Sequence, residues 1–366
     1  MALKLLLPFL SFPTYNISVT KTTRRILFYG FVAVFILTTP PTILYAMGYS
    51  FDWQKYALVQ TGGLYLKSTP NGAQIAINGK NKNTTPRLVS HLRPSFYEIT
   101  ISKNDFYPWQ KTLEVLPGLV TEARNIMLFP RQTKKELSAD NATSTIEYYL
   151  NSPSEKQKEI LAQNIASSTA GWLLKNDNIF YISKANFILY RTDLSGSVKE
   201  QISKEPLPPD SAYQLISSDG KIFTTLSSKG ALAWLNNETG IFETINNQIK
   251  TAEISSDNKR IVYSTDNEIW IFYLQDILIQ PYKSAGDKEL ITRLAQKISQ
   301  VIFYSDNEHL AFVVGDQIKI IELDGRDQRN TIDLIEAPQP KIYFDDKNNY
   351  LYYLTQNQLF RINLNY

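Results

Sequence analysis

The sequence predicts an all-β protein carried on a single N-terminal transmembrane helix, with a small β-sandwich followed by a β-propeller of about five four-stranded blades. Three observations predict it. An uncharged, largely apolar run fills residues 26–51. Short strands of period-two alternation, separated by tight-turn dipeptides, begin at Gly62. Beyond Gly171 a turn–strand–turn–strand pattern recurs at intervals of roughly 40 residues, the length of one propeller blade.

The apolar run comes first. Ile26–Met47, at ~1.5 Å per residue, is long enough to cross a hydrocarbon core of ~30 Å. Lys21, Arg24 and Arg25 precede it and Asp52 follows it. The positive-inside rule then predicts a cytoplasmic tail over 1–25, a span over 26–49, and everything after Tyr49 outside. Pro40-Pro41 lies inside the span and is expected to kink it. A cleaved signal peptide is the alternative. The basic flank suits it, but the small-x-small cleavage pattern is poor, since Ala46 has Leu44 two positions earlier. The stretch Leu5-Leu6-Leu7-Pro8-Phe9-Leu10 is too short to span and is expected to lie at the membrane surface.

Residues 60–130 read as the sandwich. Leu64 and Leu66 alternate with polar neighbours, as do Ala73, Ile75 and Ile77. Asn78-Gly79 is a tight-turn signal, because both residues tolerate positive φ. Tyr97, Ile99 and Ile101 share one strand face, followed by Leu113 and Val115, then Ile126 and Leu128. These strands predict a small antiparallel sandwich. Several local patterns occur in order: Gly62-Gly63-Leu64-Tyr65-Leu66, the turn Pro70-Asn71-Gly72-Ala73, Asn78-Gly79, Thr85-Pro86, Leu92-Arg93-Pro94-Ser95-Phe96-Tyr97 and Phe106-Tyr107-Pro108-Trp109. In these the stretch resembles the PEGA domain, a small β module named for its Pro-Glu-Gly-Ala turn. The resemblance covers about a fifth of the chain and implies an extracytoplasmic binding or spacer module, not an enzyme. Ser95 and Asp105 depart from it, standing where the family usually has glycine.

Residues 131–170 read as linker, closing strand and short helix. Pro130–Asn141 is polar and reads as an interdomain linker. Thr143–Leu150 is β-prone and is expected to supply the missing outer strand of the last blade, because the fifth repeat ends after three strands. Ser152-Pro153-Ser154-Glu155 is a capping box with Pro at the first helical position, predicting a short helix over Lys156–Ile165.

Residues 171–366 carry the five repeats. Their first turns are Lys175-Asn176-Asp177-Asn178, Ser217-Ser218-Asp219-Gly220, Ser255-Ser256-Asp257-Asn258, Tyr304-Ser305-Asp306-Asn307 and Phe344-Asp345-Asp346-Lys347. Apolar strands follow each, such as Ile261-Val262-Tyr263 and then Ile269-Trp270-Ile271-Phe272 in the third. That third repeat is stretched by an insertion around Gln275–Lys288. The turns and spacing resemble those of WD-like, TolB-type propellers, where Ser-x-Asp-Gly links the first two strands of a blade.

Chemistry is read mostly from what is missing. The chain has no cysteine, which excludes disulfide and thiolate chemistry. A net charge of +3 with no basic run interleaved with aromatics gives no nucleic-acid surface. Its two histidines, His91 and His309, fall in different predicted domains without partners at ligand spacing, so no metal site is expected, and each reads as a surface or strand residue. No nucleophile elbow, phosphate loop or zinc-protease motif occurs. Asp219, Asp257 and Asp306, like Asp345-Asp346, read as turn formers through side-chain-to-backbone hydrogen bonds. Trp109, Trp234 and Trp270 read as packing residues, against the alternative of sugar-stacking platforms. Asn16, Asn83, Asn141 and Asn237 begin Asn-x-Ser/Thr sequons, which matter only in a glycosylating host. The expectation is a membrane-anchored extracytoplasmic protein that binds or scaffolds an envelope protein or cell-wall glycan. It has no catalytic, cofactor or metal residues and no cofactor. The alternative is an envelope glycan or peptide hydrolase with a carboxylate site in the propeller channel, a paired-carboxylate glycosidase among the possibilities. A third possibility is a sensor working with a membrane partner.

Overall fold

A computed structural model describes residues 20–53, 56–142, 146, 150–345 and 348–364. The segment Leu5–Leu10, expected at the membrane surface, falls outside these. Helix α1 runs Lys21–Ala46 and is capped by the Thr20 side chain, which accepts from the Thr23 amide. None of its residues is buried against the protein. It continues through Pro40 and Pro41, which lack donors. The Thr38 and Thr42 hydroxyls donate one turn back, to Val34 O (2.8 Å) and Thr38 O (2.7 Å), so their polar groups are paired within the helix itself. A hairpin follows at once, β1 (Tyr49–Asp52) against β2 (Ala57–Gln60).

The sandwich comprises β3 (Gly62–Thr69), β4 (Gln74–Ile77), β5 (Lys80–Thr84), β6 (Arg87–Leu92), β7 (Ser95–Ser102), β8 (Trp109–Val115) and β9 (Val120–Met127). One sheet has the order β6-β3-β9 and the other β5-β4-β7-β8. Their inner faces bury the predicted alternating residues, Leu64, Leu66, Ile75, Ile77, Ile99 and Ile101 among them. Asn78 and Gly79 both have positive φ (48° and 73°), as the β4–β5 turn requires. At the Pro70–Ala73 turn, Gly72 has φ 76° and Thr85 pins the backbone, its carbonyl accepting from Gly72 N (2.8 Å) and its hydroxyl from Ala73 N (3.1 Å). The sandwich is not wholly antiparallel, because β9 runs parallel to β3. The loop 116–119 brings the chain from the end of β8 to the start of β3. There Gly62 sits so close that a Cβ would lie 2.3 Å from Leu116 O. From that point β9 runs alongside β3, Gly63 opposite Val120. Of the two departures from glycine, Asp105 holds the left-handed conformation (φ 67°), whereas Ser95 opens β7 in extended backbone.

Beyond the sandwich lie five four-stranded sheets. Strand β10 (Lys135–Ala139) comes first, then helix α2 (Pro153–Ala166). The first sheet is β11 (Gly171–Lys175), β12 (Asn178–Ile182), β13 (Leu189–Asp193) and β14 (Glu200–Gln201). The second is β15 (Tyr213–Ile216), β16 (Thr224–Ser227), β17 (Leu232–Asn236) and β18 (Ile241–Asn246). The third is β19 (Thr251–Ile254), β20 (Arg260–Ser264), β21 (Glu268–Tyr273) and β22 (Lys288–Arg293). The fourth is β23 (Ile298–Phe303), β24 (His309–Val314), β25 (Gln317–Glu322) and β26 (Thr331–Glu336). The fifth is β27 (Lys341–Asp345), β28 (Tyr350–Thr355) and β29 (Gln358–Asn363), completed by β10 on β29.

The outer strand of the fifth sheet therefore comes from before the first sheet, but from Lys135–Ala139 rather than Thr143–Leu150. Residues 143–145 and 147–149 fall outside the described set, and Ile146 and Leu150 are helical. The polar stretch taken for a linker is thus a paired edge strand, with Glu136 bonded to Arg361 (2.9 Å). One buried cluster joins each sheet to the next. Phe180 and Leu189 meet Leu215 and Phe223, for example, and Val262 and Ile271 meet Val301 and Phe312. Beside the fifth and first sheets lie residues of the segment after β10 and of α2 instead. Ala142 and Ile146 pack on Tyr352 and Leu359, while Ala162 and Ala166 of α2 pack on Ile179. The α2 capping box forms as predicted, Ser152 Oγ accepting from Glu155 N and Glu155 from Ser152 N.

Candidate functional site

The first strands of all five sheets converge on one cavity of about 490 Å³. Lys175, Gln214, Glu253, Gln300 and Tyr343 each come from a different sheet. Gln300 clips the fourth and fifth sheets together there, its amide pairing both with Ile342 O (2.7 Å) and Ile342 N (2.8 Å). Among the described lining residues Glu253 is the one carboxylate and Lys175 the one cation. A paired-carboxylate hydrolase would need a second carboxyl within reach of Glu253.

The predicted turn aspartates do what turn aspartates do. Asp219 Oδ1 accepts from the amides of Lys221 (2.7 Å) and Ile222 (3.1 Å), Asp257 from Lys259 (3.1 Å), and Asp306 from Glu308 (2.9 Å) and His309 (3.0 Å). Asp345 is buried and accepts from Asn348 Nδ2 (2.7 Å), while Asp346 lies outside the described residues. The neighbouring asparagines have a role that sequence reasoning missed. Asn258 and Asn307 take positive φ and reach across to the preceding turn. Asn258 accepts from Ser218 Oγ, and Asn307 Oδ1 accepts from Ser256 N (3.1 Å). Asn176 likewise donates to Asp219 O (3.0 Å). These bonds lace the first four sheets together beside the cavity.

The densest chemistry lies where the sandwich meets the fourth sheet. Lys111 is wholly buried against Glu322, at 2.7 Å, and donates to Asp324 O (2.6 Å). Glu322 also accepts from Trp109 Nε1 (2.8 Å) and from Asn330 N (2.8 Å). Trp109 is thus a structural residue, as expected, but its polar end serves the neighbouring unit. Trp234 and Trp270 pack half-buried against the core between the second and third sheets. Strands β8 and β9 are the edges of their sheets, and side chains from the third and fourth four-stranded sheets satisfy their outward backbone groups. Asn330 takes Gln110 N (3.3 Å) and Gln110 O (3.0 Å), and Asp327 takes Thr112 N (2.7 Å). Gln280, from the third-sheet insertion, takes Val120 O (3.1 Å) and Glu122 N (3.0 Å). Edge strands left open invite pairing with other chains, and here side-chain amides and a carboxylate stand in for a further strand.

His309 belongs to this junction and is a strand residue, the first of β24, with a carboxylate partner that the sequence reading did not give it. It is buried beneath Phe129, ring centroids 5.7 Å apart, with Nδ1 2.7 Å from Asp306 Oδ2. Burial alone would depress its pKa, but Asp306, with Glu322 and Glu308 behind it, outweighs that and holds it raised. Burial likewise pushes Glu308 up, although Arg260 stands 2.6 Å away. Asp306 lies below the ordinary carboxylate value because His309 and two backbone amides outweigh its burial. His91 is exposed at the far end of the sandwich, stacked on Tyr45 of α1 at 4.3 Å. Among the described residues no three His, Cys, Asp or Glu side chains gather as a metal site. Asn83, Asn141 and Asn237 are exposed, and Asn16 is outside the described residues.

Comparison with known proteins adds a family for part of the chain. Residues 61–127 match the PEGA domain. Solved structures similar to the chain include the β-propeller domain of Myceliophteria thermophila Cps50 (Swd1), at 13% identity over 51% of this chain and 66% of that one, TM-score 0.37. A functionally unknown protein from Desulfotomaculum acetoxidans DSM 771 matches at 14% over 51% and 62%, TM-score 0.37. The tricorn protease matches at 15% over 75% and 26%, TM-score 0.37. The chain spans less than two thirds of the length of each of these three. No curated protein sequence matches the chain.

Proposed function

We propose that this chain is a membrane-anchored binding or scaffolding protein of the cell envelope. In this reading α1 is an uncleaved anchor, crossing once with Lys21, Arg24 and Arg25 on the cytoplasmic side. The PEGA module and the five sheets stand outside, and the sheets form a five-bladed propeller whose last blade is completed by β10. The observation that carries the reading is the junction. Lys111, Glu322 and Trp109 are buried, and the edges of β8 and β9 are covered, so the propeller is held on the module rather than swinging from it. A fixed platform suits presentation of a surface to another envelope protein or to cell-wall glycan.

The face of the third and fourth sheets that meets the module is occupied. Away from it lie the β16–β17 turn of the second sheet, Ser228-Lys229-Gly230, and the β20–β21 turn of the third, Thr265-Asp266-Asn267. An open cavity of about 580 Å³ lies there, bordered by Lys229, Lys250 and Asp266. We place the partner on this face. The test is affinity capture of the solubilised full chain after cross-linking in its native membrane, alongside co-sedimentation with purified cell-wall glycan. Retained partner or glycan, lost in the double variant Lys229→Glu, Lys250→Glu, is the expected result. Turnover of peptidoglycan, polysaccharide or peptide, abolished by Glu253→Gln in a folded chain, would replace this reading with a hydrolase.

A further inference from the structure

Most of the sandwich's exposed apolar side chains gather at one end, apart from the scattered Leu137, Ile160, Leu161 and Val198 of the later segments. Hairpin β1–β2 presents Trp53 (73% exposed), Tyr56 (80% exposed), Phe51 and Leu58. Beside it lie Leu116 and Leu119, in the loop whose Gly118 amide donates to Thr61 O (3.1 Å). Phe96, exposed at the start of β7, pairs opposite Glu114 at the same end. The third-sheet insertion arrives there too, since Gln280 is bonded to Val120 and Glu122 at the start of β9. The residue two before it, Leu278, is 83% exposed.

This end is also where α1 leaves off. Ala46 and Tyr49 are three residues apart, and three residues reach at most about 10 Å. The headgroup layer on each side of a bilayer is of the same order, roughly 5–8 Å. The hairpin therefore cannot stand clear of a membrane that α1 crosses. Nor can it swing freely. Gly48 O accepts from Thr61 N (2.7 Å) and Oγ1 (2.6 Å), and His91 stacks on Tyr45 while its Nε2 lies 3.3 Å from Tyr45 O. Arg93 donates to Phe51 O (3.4 Å) and lies 3.7 Å from Asp52, the one charge among the described hairpin residues. Trp and Tyr about a lysine, as in Trp53-Gln54-Lys55-Tyr56, are a composition that settles at a membrane–water interface.

We propose that this end is a lipid-docking platform. The hairpin inserts Trp53 and Tyr56 into the interfacial layer of the outer leaflet, and loop 116–119 with the insertion tip at Leu278 rests on the same layer. Docked in this way at three points, the exterior has a set tilt, and the open face of the propeller points in a defined direction from the membrane. The proposal rests on α1 being an uncleaved anchor.

The test uses the full chain reconstituted in phosphatidylcholine vesicles, with and without bromine on the acyl chains near the headgroup. No tryptophan lies in α1, and Trp53 is far more exposed than the buried Trp109 or the half-buried Trp172, Trp234 and Trp270. Brominated lipid should quench a component of the emission that Trp53→Phe removes. Because the chain has no cysteine, Leu278→Cys can carry a single environment-sensitive dye, which should shift to the blue on reconstitution and be quenched by the same lipid. Loss of the chain from floating vesicles after alkaline washing would sink the anchor and the platform together. A floating chain whose Trp53 is quenched by aqueous iodide and untouched by brominated lipid would overturn the platform alone. Shielding of Trp53 from both quenchers would put a protein surface, such as a second copy, where we place lipid, and would overturn it equally.

Discussion

At the scale of single residues, His309 makes the sharpest demand. Its folded pKa is raised, so its stabilising contribution is complete below its unfolded value of about 6.5 and is lost as pH rises through the folded value. The unfolding midpoint of the detergent-solubilised chain in urea should therefore fall as pH is raised above about 6.5. In His309→Gln this slope should be missing. An identical slope in both proteins would take His309 out of the account. Asp306 acts in the opposite sense, since a depressed carboxylate contributes above about pH 3.9 and loses that contribution in acid. The pair was legible in principle: Asp306-Asn307-Glu308-His309 places the carboxylate three residues before the ring, on a turn already assigned. What hid it was burial, because nothing local says that Phe129, from another unit, covers the imidazole. The same reason hid the asparagine clips. Asn78-Gly79 is readable because its positive-φ turn is a preference of the dipeptide itself, whereas the role of Asn307 depends on Ser256, 51 positions away.

At the scale of elements, the outer strand of the fifth sheet shows where pattern reading misleads. The need for a borrowed strand followed from the count of strands in the fifth repeat. Choosing it by β propensity picked Thr143–Leu150 over Lys135-Glu136-Leu137-Ser138-Ala139. An outermost strand has one neighbour and little to bury, so it can be short and charged. Such composition is itself a way of discouraging further pairing. Leu137 still faces Phe360 across the register, and Glu136 holds Arg361. Replacing residues 135–139 with alternating Gly and Ser should uncover the edge of β29. The altered chain should self-associate on size-exclusion chromatography in detergent, whereas the same replacement over residues 143–145 should leave it as the parent. Equal elution of both would show that the fifth sheet does not depend on β10. The turn aspartates belong to this scale as well. Asp219→Asn and Asp257→Asn should each cost only on the order of 1 kcal/mol in urea unfolding, since Asn keeps the acceptor oxygen, and should leave partner capture unchanged.

At the scale of the whole molecule, the question is whether the module and the five four-stranded sheets behave as one body, and the junction decides it. Two domains joined by a polar linker would unfold separately, and a linker is what residues 130–141 look like in sequence. Instead Phe129 lies in the core shared with the fourth and fifth sheets, and Lys111 is buried at 2.7 Å from Glu322. Taking one partner away from such a pair leaves the other charge stranded without water and typically costs about 3–5 kcal/mol, whereas removing both charges together is often close to neutral. Lys111→Met should therefore separate the two units, giving two transitions where the parent gives one, and should expose the β8 backbone to hydrogen exchange. Adding Glu322→Gln to Lys111→Met should restore much of the single transition, because the stranded charge is gone and an acceptor remains for Asn330 N. Trp109 tells the two causes apart. Its indole keeps a partner when Lys111 alone is changed, so a loss of coupling in that variant cannot be a loss of the tryptophan contact. If the parent itself unfolds in two steps, or if Lys111→Met unfolds as the parent does, the five sheets are not fixed to the module, and the proposed fixed platform falls.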